Sequence, residues 1–168
     1  LIAAGEEFNI TPYGTETMHI LRAEKGFIIV GQDTDGSMTP ADMNMDWVVG
    51  KNKAFSFIGR RSLQRSDTAR SNRKQLVGLK PLNDKEVLPE GAQVVFDAKQ
   101  KIPMAMQGHV TSSYYSASLG HSIALAVVKD GHKRLGQVVH CPLADGRSIA
   151  SEIVSSVFYD PKGERHHV

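Results

Sequence analysis

The stretch TETMHILRAEKGFIIVGQDTDG, residues 15–36, decides the fold of the first third of the chain. Thr15 to Lys25 is predicted to form a helix, because Thr15 suits the N-cap and Gly26 suits the C-terminal stop. The apolar face of this helix is expected to be formed by Met18, Leu21 and the stem of Arg22. The apolar run at 27–30 then predicts a short buried strand.

The acidic loop Gly31 to Pro40 follows that run, and its two carboxylates raise the question of a metal or phosphate site. Counting from Asp33, a calcium loop needs glycine at the sixth position and glutamate at the twelfth, where the chain has Met38 and Asn44. The glycine patterns that cradle phosphate are absent, and two exposed carboxylates would repel it. Asp, Gly, Ser and Pro favour turns, so the sequence predicts a turn with no metal.

Three weaker elements are predicted between the acidic loop and residue 74. Thr39 to Asp42 suits a single helical turn, because proline fits the first helical position and threonine caps it. Asp46 to Gly50 reads as a short strand, and a second helix is expected from about Arg60. The polar, aperiodic sequence that follows predicts a domain boundary near residues 66–74.

From residue 75 onward the sequence is rich in short apolar runs that are divided by turn residues. Asp-Gly pairs at 130–131 and 145–146 are typical of hairpins. Several short strands separated in this way predict an antiparallel barrel or sandwich, and with the preceding helices an α+β fold. The six runs are QLVGL, AQVVF, MAMQGHVTSSYY, SIALAVV, GQVVHCPL and SIASEIVSSVFY.

The residues 51–74 carry eight Lys and Arg side chains against Asp67 alone, a local charge of +7 in a chain of net charge +2. Such a segment attracts anionic partners or forms a solvated surface, and the sequence leaves both readings open. We hypothesise that Arg60, Arg61 and Arg65 help to attract an anionic ligand tail, with docking against a partner subunit as the alternative.

Cysteine and histidine usage excludes several site types. Cys141 is the only cysteine, which rules out an intrachain disulfide and a multi-cysteine zinc site, and predicts a buried structural thiol in a reducing, cytoplasmic environment. The seven histidines lack metal-ligand spacing, and no nucleophile motif is present. The longest apolar runs are too short for a membrane helix. Because the chain begins with Leu1, we expect a fragment or a processed piece.

The ordered segments PYGTETMHILRAEKGFIIVGQDTDGSMTPADMNMDWVVGKNKAFSFIGRRSL, KQLVGL, GHVTSSYYSASLGHSIALAVV and VFYDPKG together resemble the C-terminal part of the folate-binding aminomethyltransferase superfamily. The resemblance covers nearly the whole chain. Glycine-cleavage T-proteins usually read A-R-D-x-L-R-L-E-A-G where this chain reads TMHILRAEKG, with Met18 in place of their first arginine. The R-x-E-K-G-F form and the continuation GFIIVGQDTDG look more like the α subunit of heterotetrameric sarcosine oxidases.

This resemblance implies a two-part organisation. Residues 1–70 would be the tail of a split folate-binding α/β domain, and residues 71–168 would be the C-terminal antiparallel β-barrel that packs across its mouth. The region would bind tetrahydrofolate and help to pass it the one-carbon unit left by sarcosine oxidation, giving 5,10-methylenetetrahydrofolate. FAD, FMN and NAD would belong to other parts of the assembly, and the partners would be the other subunits and the missing upstream part of the α subunit.

Site residues follow from the resemblance by motif. Phe27 and Trp47 are the aromatics expected against folate, because flat apolar rings suit a pterin, although core packing is an equal alternative. Arg22 and Glu24 form the R-x-E pattern, where Arg22 would pair with a folate carboxylate or with the surroundings of Glu24. No catalytic base is nominated, because the family's carboxylate lies upstream.

Barrel residues and two competing functions complete the predictions. His109, Thr111 and Ser112 fall in the family's G-x-V-T-S strand, where packing and hydrogen bonding are expected more than ligand contact. One alternative function is a T-protein of the glycine cleavage system. Another is a nucleic-acid-binding module that uses the basic segment with Phe55 and Phe57, which the resemblance disfavours.

Overall fold

The computed structural model describes residues 1–50 and 52–166. It has an α+β fold, in which short helices precede and cover a six-stranded antiparallel sheet. Within the described ranges, none of the helices has the length and apolar character needed to cross a bilayer. The helices are α1 (Ile2–Gly5), α2 (Thr15–Glu24), α3 (Arg60–Leu63) and α4 (Ser66–Ala69), with 3-10 helices at Glu6–Phe8, Asp46–Val48, Gly131–Lys133 and Glu164–His166.

The sheet closes into the predicted antiparallel barrel. Its strand order is β2-β3-β4-β1-β6-β5, and every pairing is antiparallel. The two end strands are joined by a pair of hydrogen bonds between Val95 and His140, both 2.9 Å. Closure removes the open edges that a flat sheet would expose. The strands are β1 (Lys74–Pro81), β2 (Gln93–Val94), β3 (Gly108–Ser116), β4 (His121–Lys129), β5 (Val138–Pro142) and β6 (Ser148–Val154), one in each predicted run.

Alternation along the strands builds two hydrophobic clusters. Side chains at odd and even positions point to opposite faces of a strand. On β4, Ala124, Ala126 and Val128 join the barrel interior, whereas Ile123 and Leu125 join a second cluster outside it. The outer cluster contains Ala23 from α2 and residues from the acidic loop region, so the first part of the chain packs on the outer face of the barrel.

Helix α2 confirms the prediction for residues 15–25 with a different start. The N-cap is Gly14, and Thr15 is already helical. Gly26 is the predicted stop: its φ of +70° is left-handed, its N–H bonds to Ala23 O, and the N–H of Phe27 bonds to Arg22 O at 2.8 Å. This is a Schellman motif, in which glycine avoids the steric cost that a side chain has at positive φ.

The expected apolar face of α2 is only partly correct. Met18 and Leu21 are exposed, and the residues that α2 buries are Ala23 and Glu24. The helix rests on the barrel through its C-terminal turn, where hydrogen bonds from charged side chains add to the apolar contacts. Amphipathic periodicity therefore indicated the helix but not the surface on which it packs.

The predicted strands at 27–30 and 46–50 are wrong. Residues 27–30 contribute one isolated bridge from Val30 to Thr34, because the N–H groups of Gln32 and Asp33 turn back onto Ile29 O. Asp46–Val48 forms a 3-10 helix. The predicted helical turn at 39–42 is a hydrogen-bonded turn, since Thr39 and Asp42 bond reciprocally through side chain and backbone. The apolar composition of these two segments did not produce a β-ladder, because neither segment has a neighbouring strand among the described residues.

The basic segment forms two single-turn helices, α3 and α4, beside the barrel. Helix α3 begins at the predicted residue, Arg60, and ends at Leu63. Cys141 is fully buried in the barrel, as predicted, and this burial raises the pKa of its thiol to about 12. A thiol with that pKa is inert at neutral pH.

Gly26 generates a stability prediction. A Cβ placed there would lie 2.6 Å from Ser156 O, in addition to the positive φ. We expect Gly26→Ala to lower the free energy of unfolding by about 2 kcal/mol or more, measured by urea unfolding. Gly14→Ala, at the other end of α2 with open space around it, is the control and should cost less than about 1 kcal/mol. Equal losses would contradict the close approach.

Candidate functional site

A buried ion pair between Arg22 of α2 and Asp33 of the acidic loop is the centre of the contact between the N-terminal part and the barrel. Arg22 Nη1 lies 2.5 Å from Asp33 Oδ2, and the side chains are 10% and 0% exposed. Arg22 Nη2 donates to Ser112 Oγ at 2.7 Å and to Tyr114 Oη at 3.3 Å, both on β3. The guanidinium therefore joins helix, loop and strand.

Asp33 accepts bonds on both carboxylate oxygens. Oδ1 accepts from Thr111 Oγ1 at 2.5 Å and from Ser112 Oγ at 2.7 Å, while Oδ2 also accepts from the N–H of Ile29 at 2.8 Å. A buried carboxylate is tolerated only when it is paired and hydrogen-bonded to this degree. The prediction that Asp33 is an exposed turn residue is wrong, whereas Asp35 is exposed as expected.

A β-bulge explains how two successive strand residues reach one carboxylate. The register of β3 against β4 shifts between Val110 and Ser112, so Thr111 is the extra residue. Side chains of neighbouring strand residues normally point to opposite faces, and a bulge changes this locally. Thr111 and Ser112 therefore both face Asp33, which agrees with the hydrogen-bonding role predicted for them.

Glu24 makes a second link from α2 to β3. It is 3% exposed, and its Oε1 accepts from Ser116 Oγ at 2.6 Å. Its backbone oxygen accepts from the N–H groups of Phe158 and Tyr159 at 2.8 and 2.9 Å. Arg22 forms a structural ion pair, as one of the two alternatives expected, but its carboxylate partner is Asp33 and not a group beside Glu24.

A third link fastens the basic segment to the acidic loop region. Asp42 and Arg73 are both buried, and Arg73 Nε lies 3.0 and 2.9 Å from the two carboxylate oxygens. Thr39 adds bonds to Oδ2 from its N–H and its hydroxyl, each 2.8 Å. Burial opposes ionisation of Asp42, but the bonds from Arg73 and Thr39 outweigh it and lower the pKa of this carboxyl. The bond with Asp42 raises the pKa of Arg73.

The four residues expected to contact folate divide into two environments. Phe27 and Trp47 are 58% and 82% exposed, so the core-packing alternative does not describe them in this chain. Arg22 and Glu24 instead face the barrel. The structure brings Arg22 and Phe27 together, since Arg22 Nη1 donates to Phe27 O at 3.2 Å, while Trp47 stands on the separate 3-10 helix.

Arg22 also carries a buried donor that is free. Its Nε has no hydrogen-bond partner in the part of the chain that the structure describes. A buried N–H without an acceptor is costly, so an acceptor from outside these residues would be stabilised there. Across the described ranges, no group of three or more His, Cys, Asp or Glu side chains has the arrangement of a metal site.

Family comparisons match both parts of the chain. The model of the glycine cleavage T-protein C-terminal barrel domain matches residues 74–160, and that of the GCVT N-terminal domain matches residues 1–53. The chain therefore belongs to the glycine cleavage T-protein family, as its sequence resemblance indicated.

Individual relatives show which members of the family this chain is similar to. The chain is 50% identical over 97% of its length to sarcosine oxidase subunit alpha from Corynebacterium sp. (strain P-1), and 36% identical over its full length to that of Rhizobium meliloti (strain 1021). It spans 17% of the length of each of these relatives. The crystal structure of aminomethyltransferase T from Bartonella henselae superposes with a TM-score of 0.70 at 28% identity, covering 85% of this chain and 38% of that one.

Asp33 generates the first prediction from this site. Asp33→Asn keeps the shape of the side chain but leaves the Arg22 guanidinium buried without its counter-charge. We expect a loss of about 3 kcal/mol in the free energy of unfolding, measured by urea titration. The control is Asp35→Asn, an exposed carboxylate two residues away, which should cost less than about 1 kcal/mol. A loss no larger than that of the control would show that the ion pair is dispensable.

Asp42 generates a pH prediction. Its lowered pKa means that the folded chain keeps this carboxylate charged where the unfolded chain protonates it. The resulting stability is fully present above the unfolded pKa of about 4 and is lost as the pH falls through the folded value. We expect Asp42→Asn to be less stable at pH 7 and to lose less stability than the parent between pH 5 and pH 3. A parallel pH dependence in both proteins would contradict this role.

Proposed function

We propose that this chain is the C-terminal region of a sarcosine oxidase α subunit, which binds tetrahydrofolate and helps to transfer the one-carbon unit from oxidised sarcosine. The observation that carries the proposal is 50% identity over 97% of the chain to proteins of that name. Family membership supports the one-carbon part of the proposal, because relatives at 29 to 35% identity are named aminomethyltransferases.

The residues present suit a folate. Exposed Phe27 and Trp47 offer flat apolar rings of the kind that bind a pterin or an aminobenzoyl group. The Nε–H of Arg22 has no acceptor among the described residues and is covered by the protein, so it would reach an acceptor atom of a ligand only if this side chain moved. Tetrahydrofolate, when bound, supplies the amine nitrogens that take up the one-carbon unit as 5,10-methylenetetrahydrofolate.

The contribution of these residues is positioning. Phe27 is held by two bonds to Arg22, from its own N–H to Arg22 O and from Arg22 Nη1 to Phe27 O. Arg22 is in turn fixed by Asp33 and Ser112. These bonds hold the backbone of Phe27, so the segment that presents the ring loses little conformational entropy when a ligand binds. Glu24 holds the same helix turn against β3 through Ser116, and we infer that its part in cofactor binding is indirect.

We further propose that residues 1–70 are the tail of the split folate-binding domain and residues 71–168 the barrel domain. Large exposed apolar side chains concentrate in the first part, as expected of a surface that the upstream part of the domain covers. Examples are Phe8, Tyr13, Met18, Leu21, Val30 and Ile58. That upstream part would supply the catalytic carboxylate, and other parts of the assembly would hold FAD, FMN and NAD.

The proposed partners are the other sarcosine oxidase subunits and folate, in the cytoplasm. These relatives are named sarcosine oxidase subunit alpha, which is the name of one component of a larger enzyme. Because the catalytic carboxylate and the flavins are assigned outside these 168 residues, we expect the chain alone to show no flavin-dependent turnover of sarcosine.

A T-protein of the glycine cleavage system is the second candidate function. It is favoured by the family models and by the structural similarity to the Bartonella henselae enzyme. The higher identity to the oxidase subunits and the presence of Met18 where T-proteins usually have arginine argue for the first candidate. The two differ in one assay, since only the first predicts sarcosine-dependent flavin reduction in the complete protein.

Trp47 tests the folate proposal. In the complete enzyme, we expect Trp47→Ala to weaken tetrahydrofolate binding about tenfold or more, because stacking on an exposed ring is lost, while flavin reduction by sarcosine stays nearly unchanged. Titration calorimetry and stopped-flow absorbance give the two quantities.

The matched control is Phe55→Ala, which removes another exposed aromatic of the same part of the chain. Folate affinity should be unchanged in this variant. If Trp47→Ala alters only thermal stability, or if both variants weaken folate equally, the assignment of Trp47 is wrong.

A further inference from the structure

A cavity of about 340 Å³ lies where the acidic loop, the basic segment and the open ends of β3 and β4 meet. It is distinct from the Arg22 and Asp33 centre, none of whose residues line it. Charged side chains dominate its wall, namely Asp35, Asp67, Arg70, Arg73, Lys74 and Lys129.

Two of the four cations in this wall are already neutralised. Arg73 is bonded to Asp42 through Nε and Nη2, and its Nη1 donates to Asp67 O. Arg70 lies 3.3 Å from Asp67 Oδ1. These arginines shape the cavity, but their charges are balanced within the protein.

Lys74 and Lys129 are the remaining cations, and they face each other. They are directly paired across β1 and β4, and both are exposed. Like charges at directly opposite strand positions repel, so an anion placed between them is stabilised. Asp35 also lines the cavity: its carboxylate accepts bonds from the hydroxyl and N–H of Ser37, and its negative charge offsets part of the charge of Lys74.

The neighbouring His109 adds no positive charge. Burial and then the charge of Lys74 lower the pKa of this imidazole, while Asp35 opposes the shift. The ring is therefore neutral at physiological pH. With both arginines balanced, Lys74 and Lys129 against Asp35 leave one positive charge in excess in the cavity wall.

We propose that Lys74 and Lys129 form a carboxylate-binding site for an anionic chain, and that its occupant is the γ-linked glutamyl tail of a folate. The choice of occupant rests on the proposed function, because folates carry such tails. Carboxylates repeat along this tail, and the pair of cations at this strand position can hold one of them. Inorganic phosphate shares the anionic chemistry, and the test distinguishes it.

The site assigned here differs from the one expected from sequence. Arg61 and Arg65 are exposed on and beside α3 and do not line this cavity. Arg60 lines a different cavity, and its Nη1 donates to Phe55 O. The exposed arginines therefore attract anions through long-range electrostatics, whereas the lysine pair supplies a defined binding position.

The experiment measures binding of a penta-γ-glutamate peptide to the full-length protein that contains this chain, at 20 and 200 mM salt. Lys74→Gln/Lys129→Gln should weaken binding about tenfold at low salt. The matched control is Arg61→Gln/Arg65→Gln, which removes the same amount of charge from exposed positions outside this cavity and should change affinity less than twofold. Equal losses in the two variants, or none in the lysine variant, overturn the proposal.

Two further arms separate the alternatives. Inorganic phosphate should displace the peptide only at a concentration much higher than that of the peptide. Displacement at a concentration equal to that of the peptide would assign the cavity to phosphate and overturn the proposal that it binds the glutamyl tail. Monoglutamyl and pentaglutamyl tetrahydrofolate are then compared. If neither binds, the proposed function fails; if both bind equally well, the folate proposal survives and the tail site is refuted.

Discussion

The buried carboxylate of Asp33 is the constraint on which the arrangement of the chain depends. It receives donors from a helix, from its own loop and from two hydroxyls of one strand, so it fixes three elements at once. Apolar packing between the helix and the barrel is limited to a small cluster around Ala23, Leu76 and Leu125. The orientation of helix α2 on the barrel is therefore set by the charge of Asp33. This carboxylate can be buried in only one arrangement, because any other arrangement leaves it without hydrogen-bond partners.

The same principle recurs beside the barrel. Asp42 and Arg73 join the turn after the acidic loop to the start of β1, and the N–H of Leu76 bonds to Asp42 O at 2.7 Å. Asn44 adds bonds to Leu76 O and Ser156 Oγ. The N-terminal part is thus attached at two separate places on the barrel, which restricts rotation as well as separation. Residues that face away from both attachments, including Phe27 and Trp47, remain open to other molecules.

The sequence predicted the barrel far better than the part that precedes it. Short apolar runs divided by turn residues are local signals, so each of the six runs was located correctly. Of the two Asp-Gly pairs, the one at 145–146 lies in the β5–β6 hairpin as predicted, whereas the one at 130–131 enters a 3-10 helix between β4 and β5, which are not paired. The runs at 27–30 and 46–50 were apolar, but among the residues that the structure describes no strand lies beside them, and their backbones closed into turns. Gly26 was predictable because a left-handed stop is a local requirement. Asp33 was not, since its partners Thr111 and Ser112 are about 80 residues away and depend on a bulge that composition does not reveal.

The bulge also ties two parts of the structure to one residue. Thr111 is one residue more than the ladder between β3 and β4 requires. Its deletion would leave the strand pairing of the barrel intact and keep Ser112 opposite Leu125 on the outer face, yet it would remove one of the two hydroxyls that hold Asp33. Loss of this single residue would therefore loosen the attachment of the preceding helix without opening the barrel.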